Sequence, residues 1–270
     1  MTNKRGFLAV LFLLLPGTLY AGAWVQPVGE GLNILTIRRY LSDQYWTPAG
    51  RLVSSPTYAK NEVDEYAEYG VTNRLTLAFY FSALKSHTSA MDTQGGINDT
   101  KLLGRYLLWK NDSSVFSIQL GANKLGRAAA FNIPAQNSSF NSEESLLIGT
   151  SGVLTKNTAN YWFVDASFGL IQRYSAGNQL QINLEAGAKF KDDKLWLMLQ
   201  NYNTFNTDHM NYPQGAGYNI ITLAPSILYW PHKRVGLQAG VGQDIYGQNV
   251  GKGRAFFLAT WIRIGEHHKE

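Results

Sequence analysis

Alternation of apolar and polar side chains at a period of two recurs along nearly all of the sequence beyond residue 23. Leu75, Leu77, Phe79, Phe81 and Ala83 share one face, and Thr76, Ala78, Tyr80 and Ser82 the other. Phe116, Ile118, Leu120 and Ala122 alternate with Ser117, Gln119, Gly121 and Asn123. Leu180, Ile182 and Leu184 alternate with Gln181, Asn183 and Glu185, and Val235, Leu237 and Ala239 with Gly236, Gln238 and Gly240. Successive side chains on a strand point to opposite faces, so these segments are two-faced strands. No helical period of comparable length competes. The fold class is therefore all-β.

Twelve strands are expected, near 32–43, 57–69, 74–86, 98–110, 114–125, 143–155, 160–173, 178–190, 194–203, 217–229, 234–246 and 253–264. Most are long enough for the roughly 9–11 residues that cross a bilayer at a tilt. Short connections with turn residues occur at 70–73, 111–113, 155–160, 192–193 and 231–233. Between them come mostly longer polar loops at 44–56, 87–97, 126–142, 204–216 and 247–252, with a short exception at 174–177. Short turns on one side, longer loops on the other and an even strand number characterise outer-membrane barrels. An even count puts both termini on one side, the periplasmic one in such a barrel.

The first residues have a different character. Lys4 and Arg5 precede an unbroken apolar run from Phe7 to Leu15, and Pro16 and Gly17 end it. A small-residue exit follows, either Leu19-Tyr20-Ala21 or Ala21-Gly22-Ala23. This is the layout of a cleaved secretory signal peptide. The run is about half the roughly 20 residues that a spanning helix needs. Residues 1–23 are thus read as a leader, cut after Ala21 or Ala23, and 24–270 as one barrel domain. No later segment is apolar enough for a membrane helix. An exported chain of this kind either folds in the periplasm or spans the membrane as a closed barrel.

Alternation alone does not say which face meets lipid. Composition does. Charged residues make up only 16% of the chain, and the polar faces are rich in Gly, Ser, Asn and Gln. A solvated surface would carry more charge. Tyr69, Trp109, Tyr161, Trp162, Tyr229, Trp230 and Trp261 fall near strand ends, where interfacial girdles are expected. The last strand, with Phe256, Leu258, Ile262 and Ile264 on one face, lies almost at the C-terminus. These features point to a transmembrane antiparallel up-and-down barrel of about 12 strands, in contact with outer-membrane lipids and inserted with the help of barrel-assembly machinery.

The segment Tyr66-Ala67-Glu68-Tyr69-Gly70-Val71-Thr72-Asn73-Arg74-Leu75-Thr76-Leu77 resembles a hairpin of outer-membrane proteins in the MetA-pathway phenol-degradation family. The opening Gly22 to Gly31 and the later Trp162-Phe163-Val164-Asp165 resemble the XagA-type branch. The resemblance implies a monomeric-type outer-membrane barrel. It also implies a role in the passage of small, often hydrophobic, molecules or in surface and biofilm behaviour. Within the hairpin, Gly70 is expected to take a positive φ in a tight turn. Glu68 and Arg74 are expected to face the lumen from neighbouring strands and to pair there.

Further lumen charges follow from the same alternation: Lys60, Glu62, Asp64, Asp99, Lys101, Arg105, Asp165, Arg173, Glu185, Lys189, Asp244 and Arg263. The candidate network is Glu68, Arg74, Arg105, Asp165, Glu185 and Arg263. Mixed signs fit either a salt-bridged polar plug or a charged constriction around a small pore. Buried charges must be paired in both cases. Histidines are few. His87 beside Ser86, Thr88 and Asp92, and His209 beside Asp208, are the only groups from which a lipid-hydrolase site could be drawn. His232 sits in a short turn, and His267 and His268 in the tail. There is no cysteine, no spaced metal-ligand cluster, no phosphate loop and no basic-aromatic tract. No cofactor and no nucleic-acid partner are expected. The leading expectation is a non-enzymatic barrel passing an unidentified small solute. Its alternative is a surface barrel acting through loops 126–142 and 204–216. Whether residues 24–31 plug the lumen or hang outside is left open by the sequence.

Overall fold

The structure, a computed structural model, describes residues 22–89, 91–125, 140–154, 160–173, 178–191, 193–207 and 217–265. Every regular element among them is a strand: β1 Gly31–Trp46, β2 Leu52–Thr72, β3 Leu75–Thr88, β4 Met91–Lys110, β5 Ser114–Leu125, β6 Phe140–Val153, β7 Tyr161–Gln172, β8 Gln179–Phe190, β9 Leu195–Asn206, β10 Asn219–His232, β11 Val235–Gln248 and β12 Val250–Ile264. Each strand pairs with its neighbours in sequence, and β1 pairs antiparallel with β12 from Gly31↔Ile264 to Trp46↔Val250. The result is a closed up-and-down barrel with no free edge. Residues 1–21 of the leader, most of loop 126–142, the 174–177 connection, most of loop 204–216 and the tail from 266 lie outside the described residues.

The faces are inverted relative to a water-soluble barrel. Ile37 and Leu258 sit opposite each other on β1 and β12, and both are more than 60% exposed on the outside. Leu77, Phe79, Leu102, Leu120, Leu237 and Phe256 also point outward. Leaving one such side chain in water forgoes roughly 1.5–3 kcal/mol of burial. A continuous band of them is stable only against lipid. Inside are Thr36, Thr76, Ser82, Ser117, Gln119, Gln200 and Gln238, all buried.

The end of the barrel where β1 starts, β12 ends and the short connections lie is the base, and the opposite end the mouth. At the mouth the strands run further than the sequence suggests. Loops expected at 44–56, 87–97 and 247–252 contract to residues 47–51, 89–90 and Asn249. The reason is visible in β2: residues Leu52 to Thr57 are mostly exposed on both faces, and regular alternation begins only at Asn61. A ladder that projects beyond the apolar layer meets water on both sides, so it needs no apolar face. Asn249 alone connects β11 to β12 with φ 56°, a left-handed conformation that Asn tolerates.

The aromatic residues divide. Tyr69, Trp109, Trp162 and Tyr229 are exposed on the outside near base turns, as a girdle requires, whereas Tyr161 is exposed at the base end of β7 on the face of the inward Phe163 and Asp165. Trp230 and Trp261 instead point inward and are buried, which corrects their assignment to the girdle. Trp230 follows Tyr229 and so must face the other way. Trp261 shares its face with the buried Phe257 and Ala259. Inside, Trp196, Trp230 and Trp261 form a triangle of rings 6.0–6.3 Å apart, with Phe163 6.0 Å from Trp196. This cluster fills the base of the lumen along the β7–β12 wall.

Candidate functional site

The opposite half of the base is filled by the chain's own N-terminal segment. Immediately before β1 the backbone reverses at Gly29, whose φ is 79°. The Glu30 amide donates to the Pro27 carbonyl at 3.1 Å. The Gly29 amide donates to the Gly70 carbonyl at 3.0 Å, and the Gly70 amide to the Glu30 carbonyl at 2.9 Å. Val28 forms an isolated parallel bridge with Gly70. Residues 22–28 then enter the lumen, settling the point that the sequence left open.

Gly70 is therefore used differently from the sequence expectation. It lies within β2 with no positive φ, and the hairpin turn is Asn73-Arg74. What requires glycine is close approach: a Cβ there would collide with the carbonyl oxygens of Pro27 and Gln26. The conformational freedom of glycine is not needed. The space it leaves is.

Deeper in the lumen Gln26, Trp24 and Ala23 are hydrogen-bonded to the wall. The Gln26 amide donates to Thr76 Oγ1 at 2.8 Å, and its side-chain Nε2 donates to Glu68 Oε1. The Trp24 carbonyl accepts from Arg105 NH1 at 3.0 Å. The Ala23 carbonyl accepts from Ser117 Oγ at 2.8 Å, and the Ala23 amide donates to Asp165 Oδ1 at 3.0 Å. Ala23 is fully buried in an apolar cluster with Leu107, Val115 and Leu147, against which Trp24 and Val25 pack.

Arg105 is the hub. It pairs with Glu68 Oε2 at 3.2 Å, and neither side chain has any solvent exposure. It also donates to Gln119 Oε1 at 3.2–3.3 Å and to the Tyr66 hydroxyl at 3.3 Å. Tyr66 in turn donates to Glu68 Oε2 at 2.6 Å. A guanidinium offers donors in a fixed planar fork, which suits it to hold several acceptors at once. Arg74 is not in this group. It is exposed in the two-residue turn before β3, so the expected Glu68–Arg74 pair is replaced by Glu68–Arg105. Glu68 and Arg105 lie on β2 and β4, with β3 between them. A rule that pairs only adjacent strands therefore misses the contact.

The other candidates lie apart from this knot. Asp165 meets the Ala23 amide, and Glu185 accepts from Gln200 Nε2 at 2.7 Å. Asp165 and Glu185 line a small cavity of about 40 Å³ beside Gly22 and Ala23. Arg263 stacks on Trp230, 3.9 Å from the ring centre, and Lys189 sits 4.0 Å above Trp196. The six candidates thus do not form one network.

Towards the mouth the lumen charges are paired: Arg38–Asp64 at 3.2 Å, Lys60–Glu62 at 2.8 Å and Lys101–Glu143 at 3.0 Å. Tyr40 donates to Asp244 at 2.8 Å. A chamber of about 340 Å³ lies here, lined among others by Arg38, Tyr40, Tyr58, Lys60, Tyr202 and Asp244. Its tyrosines and Arg38 were not singled out from the sequence. Their parity would have found Arg38 and Tyr40, which share a strand face with the buried Ile34 and Thr36.

The histidine arrangement does not assemble. Ser86 is buried inside the barrel whereas His87 is exposed outside, so the two diverge. His87 Nδ1 has a long 3.4 Å contact with Thr93 Oγ1. Asp208 and His209 lie outside the described residues. Among the described residues, no three His, Cys, Asp or Glu side chains are grouped to hold a metal ion.

A closed ladder with an apolar exterior and a polar interior defines a transmembrane β-barrel. No family model matches the chain, and no curated protein sequence matches it. Among solved structures it is similar to the COG4313 outer membrane channel from Pseudomonas putida F1, with a TM-score of 0.68 and 15% identity. That match covers 92% of this chain and 100% of the other. A NanC porin structure matches at a TM-score of 0.48 and 8% identity, covering 84% of this chain and 98% of the porin. The CymD monoaromatic hydrocarbon channel matches at 0.41 and 10% identity, over 91% and 90% of the two chains. The first of these supports the twelve-stranded architecture. It does not transfer a solute.

Proposed function

We propose that the protein is a channel of a bacterial outer membrane, with its base and both termini on the periplasmic side. Small molecules enter the chamber from the mouth and pass the base at a rate set by the inserted segment. The observation that carries this reading is the chamber of about 340 Å³ inside a closed polar lumen. Its lining offers tyrosine faces, the ion-paired Arg38 and Lys60, and Asp244 held by Tyr40 and Thr222. Such a lining suits small, uncharged or weakly charged solutes with apolar or aromatic surface. Strong selection by charge sign is not expected, because the ion pairs leave no ring of one sign. The hairpin's resemblance to the phenol-degradation family, and that of residues 22–31 and 162–165 to the XagA-type branch, is consistent with this solute class.

The filled base favours a second reading, a surface barrel that acts through its mouth loops. Purified protein in liposomes separates the two. Swelling with small neutral solutes is expected, and faster swelling with Gly70→Ala, which loosens the segment. No flux for any solute in either form would refute passage. Deletion of loop residues 126–139 with loss of a surface phenotype would then support the second reading.

A further inference from the structure

Asp165 is a buried carboxylate on β7, facing the tip of the inserted segment. Its only hydrogen-bond donor among the described residues is the Ala23 amide, at 3.0 Å. Among the same residues no Lys, Arg or His nitrogen lies within ion-pair distance of it, nor of Glu185 on β8. The nearby cations are engaged elsewhere. Arg105 holds Glu68, Lys101 holds Glu143, and Lys189 sits over Trp196. Two carboxylates thus border a cavity of about 40 Å³ without a counter-charge. That volume admits one or two water-sized groups. An uncompensated carboxylate in such a place is costly.

Gly22 lies against this site. A Cβ built on it would come 2.5 Å from Asp165 Cγ and 2.6 Å from each carboxylate oxygen. A larger residue there would have to push the Asp165 carboxylate aside. The nitrogen of Gly22 is one bond from that α-carbon.

We infer that the exported protein begins at Gly22 and that its α-ammonium is the counter-charge of Asp165 and Glu185, locking the inserted segment in the lumen. The covalent step is hydrolysis of the Ala21–Gly22 peptide bond by a membrane leader peptidase. Water is consumed, Ala21 leaves as a carboxylate, and Gly22 gains a free amine that takes a proton. A cut after Ala23, which the Ala21-Gly22-Ala23 pattern also allows, removes the residue whose amide and carbonyl bond Asp165 and Ser117. It leaves both of those groups without these partners. The inference rests on export of the chain and is independent of what the barrel conducts.

The test uses barrel purified from outer membranes. Intact-mass and N-terminal peptide analysis are expected to show a chain beginning at Gly22. Acetylation by an amine-reactive ester is then followed at that terminus. The folded barrel is expected to react at least about tenfold more slowly than the urea-unfolded chain. A chain that starts at Trp24 or retains its leader overturns the inference. So does a Gly22 amine that reacts equally fast in both states. In a folded Asp165→Asn variant the labelling rate is expected to rise towards the unfolded value. Unchanged shielding there would assign protection to burial alone and overturn the ion pair. If that variant does not fold, the pH dependence of wild-type labelling decides: an amine paired with carboxylates titrates higher than in the unfolded chain, and an equal or lower value overturns the ion pair.

Discussion

Arg105→Met removes the hub of the base and leaves Glu68 as a charge with no cation. The structure fixes the expected size of the effect. Both side chains are fully shielded from solvent, and Arg105 also donates to the Trp24 carbonyl, Tyr66 and Gln119. Breaking one half of a buried pair costs about 3–5 kcal/mol, because the remaining charge stays buried. Glu68 keeps two donors, Tyr66 and Gln26, which places the cost nearer the lower figure. Replacing both partners by neutral groups removes the stranded charge. The double variant Glu68→Gln/Arg105→Met is therefore expected to be about 2–3 kcal/mol more stable than the sum of the two single losses predicts. Equilibrium urea unfolding in phospholipid vesicles, followed by tryptophan fluorescence, measures all four corners of the cycle. Additive single effects, or a cost below about 1 kcal/mol for Arg105→Met, would refute a tightly coupled knot.

Three other perturbations test separate parts of the structure. Gly70→Ala should displace the Pro27 carbonyl and expose residues 22–28 to protease added to the base side, while the barrel itself stays resistant; an unchanged digestion pattern would count against the docked segment. Leu258→Arg, near the middle of the outer face of β12, should cost about 2–4 kcal/mol in a bilayer; a loss near zero would place that face out of lipid. Trp230→Ala should cost about 3–5 kcal/mol by opening a cavity between Trp196 and Trp261, whereas Tyr229→Ala on the outside should cost clearly less, both read from the same unfolding curves.

The parts of the fold that were legible in the sequence are those governed by the membrane. Residues such as Leu77, Phe79 and Leu258 meet lipid while their neighbours meet the lumen, and that contrast prints a period of two on all twelve strands. Where lipid ends, the print fades. Leu52 to Pro56 fall in an expected loop because a strand wetted on both faces needs no alternation. Parity also carried more than was taken from it, since it already assigns Trp230 and Trp261 to the interior. The inserted segment was harder to foresee. Residues 22–28 have no period of their own, and their partners Glu68, Gly70, Thr76, Arg105, Ser117 and Asp165 come from β2, β3, β4, β5 and β7. The hairpin around Glu68 and Gly70 stood out in the sequence for its family resemblance, and in the structure it holds this segment. Glu68 failed to find Arg74 for a local reason: Arg74 belongs to the turn, and the hairpin's partner is a third strand away.

The central claim is that residues 22–28 narrow an otherwise passable lumen. Single-channel conductance in planar bilayers tests it most directly, comparing the native barrel with one lacking Ala23 to Val28. The deletion removes the bonds from Arg105, Ser117 and Asp165 to the segment and empties the β2–β7 half of the base. A clear rise in conductance, with the same folded barrel, is the expected result. Equal conductance in the two proteins would contradict the account.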